Sequence, residues 1–187
     1  EPTQALARIT AFLEETLKVE FHFDTEVHQA DSPLVETSHG HFRAERVLVC
    51  SGEDFETLFP DVFRESGITR CKLQMMKTRP QPPGWKLGAI ITDSLAFRSY
   101  QALAECERLG PMQERILRDH EDLDQLGITV FASQNSNGEI ITGDSHHHAL
   151  NPPLEDDPCI DEKISEYLHA MVKIPRPEIS DYYVHGF

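Results

Sequence analysis

An α+β fold, with a mostly antiparallel sheet carrying helices on one side, is what this sequence predicts. Three observations carry that expectation. Short runs of alternating apolar and polar residues are joined by tight turns at Asp31-Ser32-Pro33 and Asn135-Ser136-Asn137-Gly138. Two stretches, residues 3–17 and 160–172, repeat apolar side chains at helical spacing. One run, Arg46-Val47-Leu48-Val49-Cys50, is apolar without alternation, as in a strand covered on both faces. With 39% hydrophobic residues among 187, the chain has enough apolar matter for a core.

Each element follows from its residues. Leu6, Ile9, Phe12 or Leu13, and Leu17 mark one face of a first helix, and Pro2-Thr3 suits its start. Residues 19–23, 27–30 and 34–37 alternate and predict a small antiparallel meander, turned at Pro33 and again at His39-Gly40-His41. The buried-type strand 46–50 runs into Ser51-Gly52, and residues 53–59 predict a short helix stopped by Pro60. Strands are expected at 71–78 and 87–92, separated by the Pro/Gly-rich loop 79–84, with 95–98 extended. Residues 101–119 predict two helices broken at Gly110-Pro111. Strands 128–133 and 139–142 flank the Asn-Gly hairpin, an acidic proline-rich loop spans 151–158, and 179–187 reads as a strand. Two domains are expected, 1–66 and 67–187, and the start at Glu1 and end inside a strand-like run predict a piece of something longer.

Charge narrows the function. Seventeen Lys and Arg against 32 Asp and Glu leave a net charge of −15, which repels a phosphate backbone or an anionic bilayer, so neither nucleic acid nor membrane is an expected partner. The apolar runs are far short of the roughly 20 residues of a membrane-spanning helix. Four scattered cysteines predict reduced thiols in a cytoplasmic protein, with Cys50 an inert buried one.

Chemistry is expected at three places. A strand ending in Ser51-Gly52 lets a flat or phosphorylated ligand approach the backbone, although any interior strand can end in glycine. In Gly143-Asp144-Ser145-His146-His147-His148, an extended backbone would place Asp144, His146 and His148 on one face, where they could bind a divalent metal or serve as a polar strand end. Arg98 beside Phe97 and Tyr100 offers a guanidinium fork that matches a carboxylate or phosphonate, or is a surface charge at a helix start. Lys77 and Arg79 are weaker candidates for the same anchoring. The mixed charges at 114–121 read as a solvated face, and Ser51 lacks the GxSxG of a serine hydrolase.

Together the first helix, Val19-Glu20-Phe21-His22-Phe23, Thr25-Glu26-Val27, the hairpin ending at Gly40, and Ala44-Glu45-Arg46-Val47-Leu48-Val49-Cys50-Ser51-Gly52 resemble the middle of FAD-dependent amine oxidoreductases of the D-amino-acid oxidase, glycine oxidase and sarcosine oxidase superfamily. The resemblance continues through Lys72-Leu73-Gln74-Met75-Met76-Lys77-Thr78 and the hairpin 138–146. Leu73-Gln74-Met75-Met76, Phe97-Arg98-Ser99-Tyr100 and Gly143-Asp144-Ser145-His146 are most similar to a branch associated with bacterial phosphonate catabolism. This implies a substrate-binding domain plus a strip of an FAD domain, oxidising the C–N bond of a small anionic amine such as an amino acid or a 2-aminoethylphosphonate-like compound. It further implies that Val27, Ser51 and Gly52 line the cofactor, that Arg98 anchors the anion, and that Tyr100, Ser145 and His146 orient it. The departures are definite. No GxGxxG is present to grip a pyrophosphate, and Val184 stands where many relatives have tryptophan, so activity is expected to need further FAD-binding segments of a parent chain. The competing expectation is a stand-alone α+β binding domain with a metal on Asp144, His146 and His148.

Overall fold

A computed structural model of the chain describes residues 2–186, and of residues 98, 99 and 183–186 the backbone alone. The fold is α+β, with antiparallel sheets and five α-helices among the described residues. The chain divides into two compact units, Glu1–Ile68 and Thr69–Phe187.

The first unit opens with helix α1 (Pro2–Leu17), which buries none of its residues and exposes Leu6, Ile9, Phe12 and Leu17. Residues 19–23, expected as a strand, are irregular. Lys18 and Asp24 bracket them with φ of 57° and 53°, left-handed values that an extended strand does not contain. A three-stranded meander follows: β1 (Val27–Asp31), β2 (Leu34–Thr37) and β3 (Gly40–Arg43). Val35 at its centre faces Ala30 on one side and Phe42 on the other. The run 46–50 is a correction. It has no ladder partner among the described residues, Leu48 is 90% exposed, and Cys50 is exposed too, not a buried thiol. Residues 53–59 form turns, held by Asp54 Oδ1 accepting the Glu56 and Thr57 N–H groups at 3.1 and 2.9 Å. Pro60 starts helix α2 (Pro60–Ser66) instead of stopping one, because the first helical position needs no N–H.

The second unit is built on β4 (Arg70–Thr78), which pairs on one edge with β9 (Ile179–Gly186) and on the other with β7 (Ile140–Gly143) and β8 (His147–Ala149). Beyond β7 lie β6 (Phe131–Gln134) and the two-residue β5 (Ile91–Thr92), and every pairing is antiparallel. The β6–β7 turn forms as its sequence predicts, with Asn135 Oδ1 accepting the N–H groups of Asn137 and Glu139, each at 3.0 Å.

Helices α3 (Leu109–Asp119), α4 (Glu121–Gln125) and α5 (Pro158–Met171) bring Ile116, Leu123, Ile164 and Leu168 into one core with Met76 and Ile140 from the sheet and Val130 just before β6. Gln74, 2% exposed, fixes the start of α5. Its amide nitrogen donates to the Asp157 carbonyl and to Asp161 Oδ1, both at 2.8 Å, and its oxygen accepts the Asp157 N–H. Asp157 in turn caps the helix by accepting the Cys159 N–H.

Two expectations shift here. Residues 95–98 are not extended: Leu95–Ser99 is a 3-10 helix, begun by the Asp93 carboxylate accepting the Ala96 N–H. The helix break falls before Gly110-Pro111, and both residues sit in the first turn of α3, where a missing N–H costs nothing.

Candidate functional site

Residues Thr92 and Phe131 meet across the β5–β6 pair. Around them Ile90, Ala96, Tyr100, Thr129, Asp144 and His146 enclose a cavity of about 450 Å³. Asp93, 7% exposed, ties its rim together. One carboxylate oxygen holds the Ala96 N–H of the 3-10 helix and the other accepts the Val130 N–H at 3.0 Å. Tyr100, immediately after that helix, is 59% exposed on the cavity wall.

The polar corner is built by one crossing of chain. Thr129 N–H donates to the Asp144 carbonyl at 2.8 Å, and Thr129 Oγ1 donates to Asp144 Oδ1 at 2.6 Å. His146 Nδ1 lies 3.7 Å from the same Oδ1 and 3.1 Å from the Gly127 carbonyl. A carbonyl only accepts, so Nδ1 carries the hydrogen and donates it to Gly127. Gly127 makes this approach possible: with φ at 63°, a Cβ there would stand 2.6 Å from the His146 carbonyl oxygen.

Of the expected substrate residues, Tyr100 and His146 meet at this cavity. Ser145 does not reach it. It is 2% exposed, and its hydroxyl accepts the Gln74 N–H at 3.3 Å, a sheet contact that alternation dictates for the neighbour of two cavity-facing residues. The Arg98 side chain lies outside the described residues, and its backbone belongs to the 3-10 helix at the rim. Lys77 is held by Glu139 at 3.8 Å and Asp181 at 3.5 Å.

The metal constellation is not assembled. Asp144 and His146 share the cavity, but β8 pairing carries His148 to Cys71, where Nε2 lies 3.6 Å from Sγ. Among the described residues no three His, Cys, Asp or Glu side chains are placed to hold a metal ion. Burial and then the nearby Asp144 charge push the Cys71 thiol up, away from the reactive thiolate.

The expected cofactor residues lie in the first unit. Val27 and Ser51 line one hollow of about 390 Å³ with Glu26, Ala30, Val35, Val47 and Val49. Ser51 Oγ donates to the Asp54 carbonyl at 2.9 Å, and Gly52 follows in a turn with φ of 63° and open space where a Cβ would be. Valine walls beside two carboxylates, Glu26 and Asp54, suit a flat ring carrying a sugar hydroxyl. No Lys or Arg among the described residues lines the hollow, so these residues fit the nucleoside part of FAD and offer nothing to its pyrophosphate.

No protein-family model matches the chain, and no curated protein sequence matches it. Among the described residues no helix is long and apolar enough to cross a membrane.

Sequence reasoning missed Thr129, Phe131, Ile90 and Thr92 as lining residues. Their signal was the alternation 90/92 and 129/131, which marks two strand faces without saying that they face the same space.

Proposed function

We propose that the chain is part of an FAD-dependent oxidoreductase that oxidises the C–N bond of a small amine bearing an anionic headgroup, 2-aminoethylphosphonate or an N-methylated relative being the preferred substrate, in the cytoplasm. The observation that supports this reading is the cavity of about 450 Å³, sized for a small molecule, in which Thr129, Tyr100, Asp144 and His146 converge beside the 3-10 helix that bears Arg98. The cofactor and reaction class rest on the family resemblance.

Val27, Ser51 and Gly52 would hold the nucleoside end of the cofactor, the rest being gripped by further FAD-binding segments of the parent chain. FAD, when bound, supplies the two-electron acceptor for the hydride on the carbon next to nitrogen, leaving an imine that water hydrolyses. The work of this chain is positioning: Arg98 anchors the headgroup, while Tyr100 and His146, which the resemblance assigns to orienting the anion, are reassigned to the amine end because they share their cavity with the Asp144 carboxylate. No strong base is required of it if the amine binds neutral, and an amine that binds as an ammonium would first give a proton to an acceptor of the cavity, because only the neutral form gives up the hydride.

The test is the visible spectrum of the polypeptide purified from its complete reading frame. A flavin spectrum that bleaches anaerobically on adding 2-aminoethylphosphonate is the expected result. A colourless protein overturns the proposal.

A further inference from the structure

The hydrogens of the polar corner are already committed inside the protein. Thr129 Oγ1 spends its proton on Asp144 Oδ1, and His146 Nδ1–H is given to the Gly127 carbonyl. What Thr129 and Asp144 offer to the cavity is therefore lone pairs, those of the threonine oxygen and of the carboxylate. Among the described residues Asp144 Oδ2 makes no hydrogen bond or ion pair, although the side chain is only 15% exposed. A half-buried carboxylate in that condition calls for a donor.

We infer that Asp144 is the ammonium-binding residue of this cavity, taking the charged amino group of a small amine on Oδ2, with Thr129 Oγ1 as a further acceptor. An ammonium group brings two or three donors and a positive charge, which complements a carboxylate with a hydroxyl oxygen beside it. An anion finds none of its needs there, so the acidic end of a zwitterionic substrate is held elsewhere on the wall. A metal ion is the poorer occupant, since Asp144 and His146 are not joined by a third ligand among the described residues. Phe131 and Tyr100 line the same cavity with aromatic rings, which favour a cation. Thr129 acts through Asp144 as a positioning residue, holding the carboxylate in one orientation.

The inference names the amine-binding group of the site proposed above and rests on that reading for its probe. Calorimetric titration of the polypeptide purified from its complete reading frame compares 2-aminoethylphosphonate with ethylphosphonate, which keeps the anion and lacks the amine. The wild type is expected to bind the amine at least tenfold more tightly. Asp144→Asn keeps an oxygen for Thr129, and is expected to bring the two ligands within twofold while leaving the affinity for ethylphosphonate unchanged. Thr129→Val, a second variant should the first fail to fold, is expected to lower the discrimination at least threefold. Equal affinities in the wild type, no binding of either ligand, or discrimination that survives Asp144→Asn each overturn the inference. Absorbance of the same samples separates the two proposals: a colourless protein that discriminates keeps the ammonium site and loses the flavin. A yellow one that does not discriminate keeps the flavin and loses the ammonium site.

Discussion

Gly127 occupies a left-handed turn with the His146 carbonyl where a side chain would begin. Gly127→Ala is expected to lower stability by about 1–3 kcal/mol, read as a lower urea midpoint, and to weaken ligand binding because His146 must shift. Ser145→Ala separates a sheet contact from a site contact. It is expected to lose about 1 kcal/mol of stability through the Gln74 N–H, with ligand affinity unchanged in the same titration. Asp161 gives a pH signature. Burial pushes its carboxyl up, opposed by the Gln74 amide and assisted by the charges of Asp156 and Asp157. A carboxyl with a higher pKa folded than unfolded opposes folding most at pH above the folded value, and this opposition is relieved as the pH falls through it. Asp161→Asn keeps the acceptor for Gln74, so it is expected to be more stable than the wild type at pH 7, with the advantage shrinking toward pH 4 in urea titrations.

Helix α5 is joined to the sheet by two different devices, and they fail differently. Its buried Ile164 and Leu168 sit in the common core, whereas Gln74 grips its N-terminus through Asp157 and Asp161. Ile164→Ala is expected to cost about 2–5 kcal/mol in urea unfolding, because Ile164 is wholly buried and the cavity left behind collapses only in part. At this scale helices α1, α3 and α5 and the Asn135 hairpin were legible in the sequence, since local period and turn chemistry decide them, whereas the helix expected at 53–59 is absent and α2 and α4 were not foreseen. The strand expected at 19–23 and the buried strand expected at 46–50 were not. An apolar run becomes a ladder only when a neighbour satisfies its backbone, and that neighbour is not encoded in the run itself. Pro60 misled for a related reason, because the same ring that stops one helix suits the first turn of the next.

Among the described residues, 13 of the 14 buried hydrophobic ones belong to the second unit, and Ala30 alone to the first. Residues 69–187 expressed alone are therefore expected to unfold in one cooperative thermal transition, while residues 1–68 alone show none and bind a hydrophobic dye. Of the candidate site, Tyr100, Asp144 and His146 were already chosen from their residue types, and the cavity brings them together with Thr129 and Phe131. Sequence alone determined the α+β class, the amphipathic helices and the turns, because these depend on neighbours a few residues away. Only the tertiary structure decided that Ser145 turns inward to Gln74, that His148 goes to Cys71, and that Thr129 commits Asp144 to face the cavity. Those partners lie 15 to 77 positions apart in the chain, and strand pairing, not local period, brings them within hydrogen-bond reach.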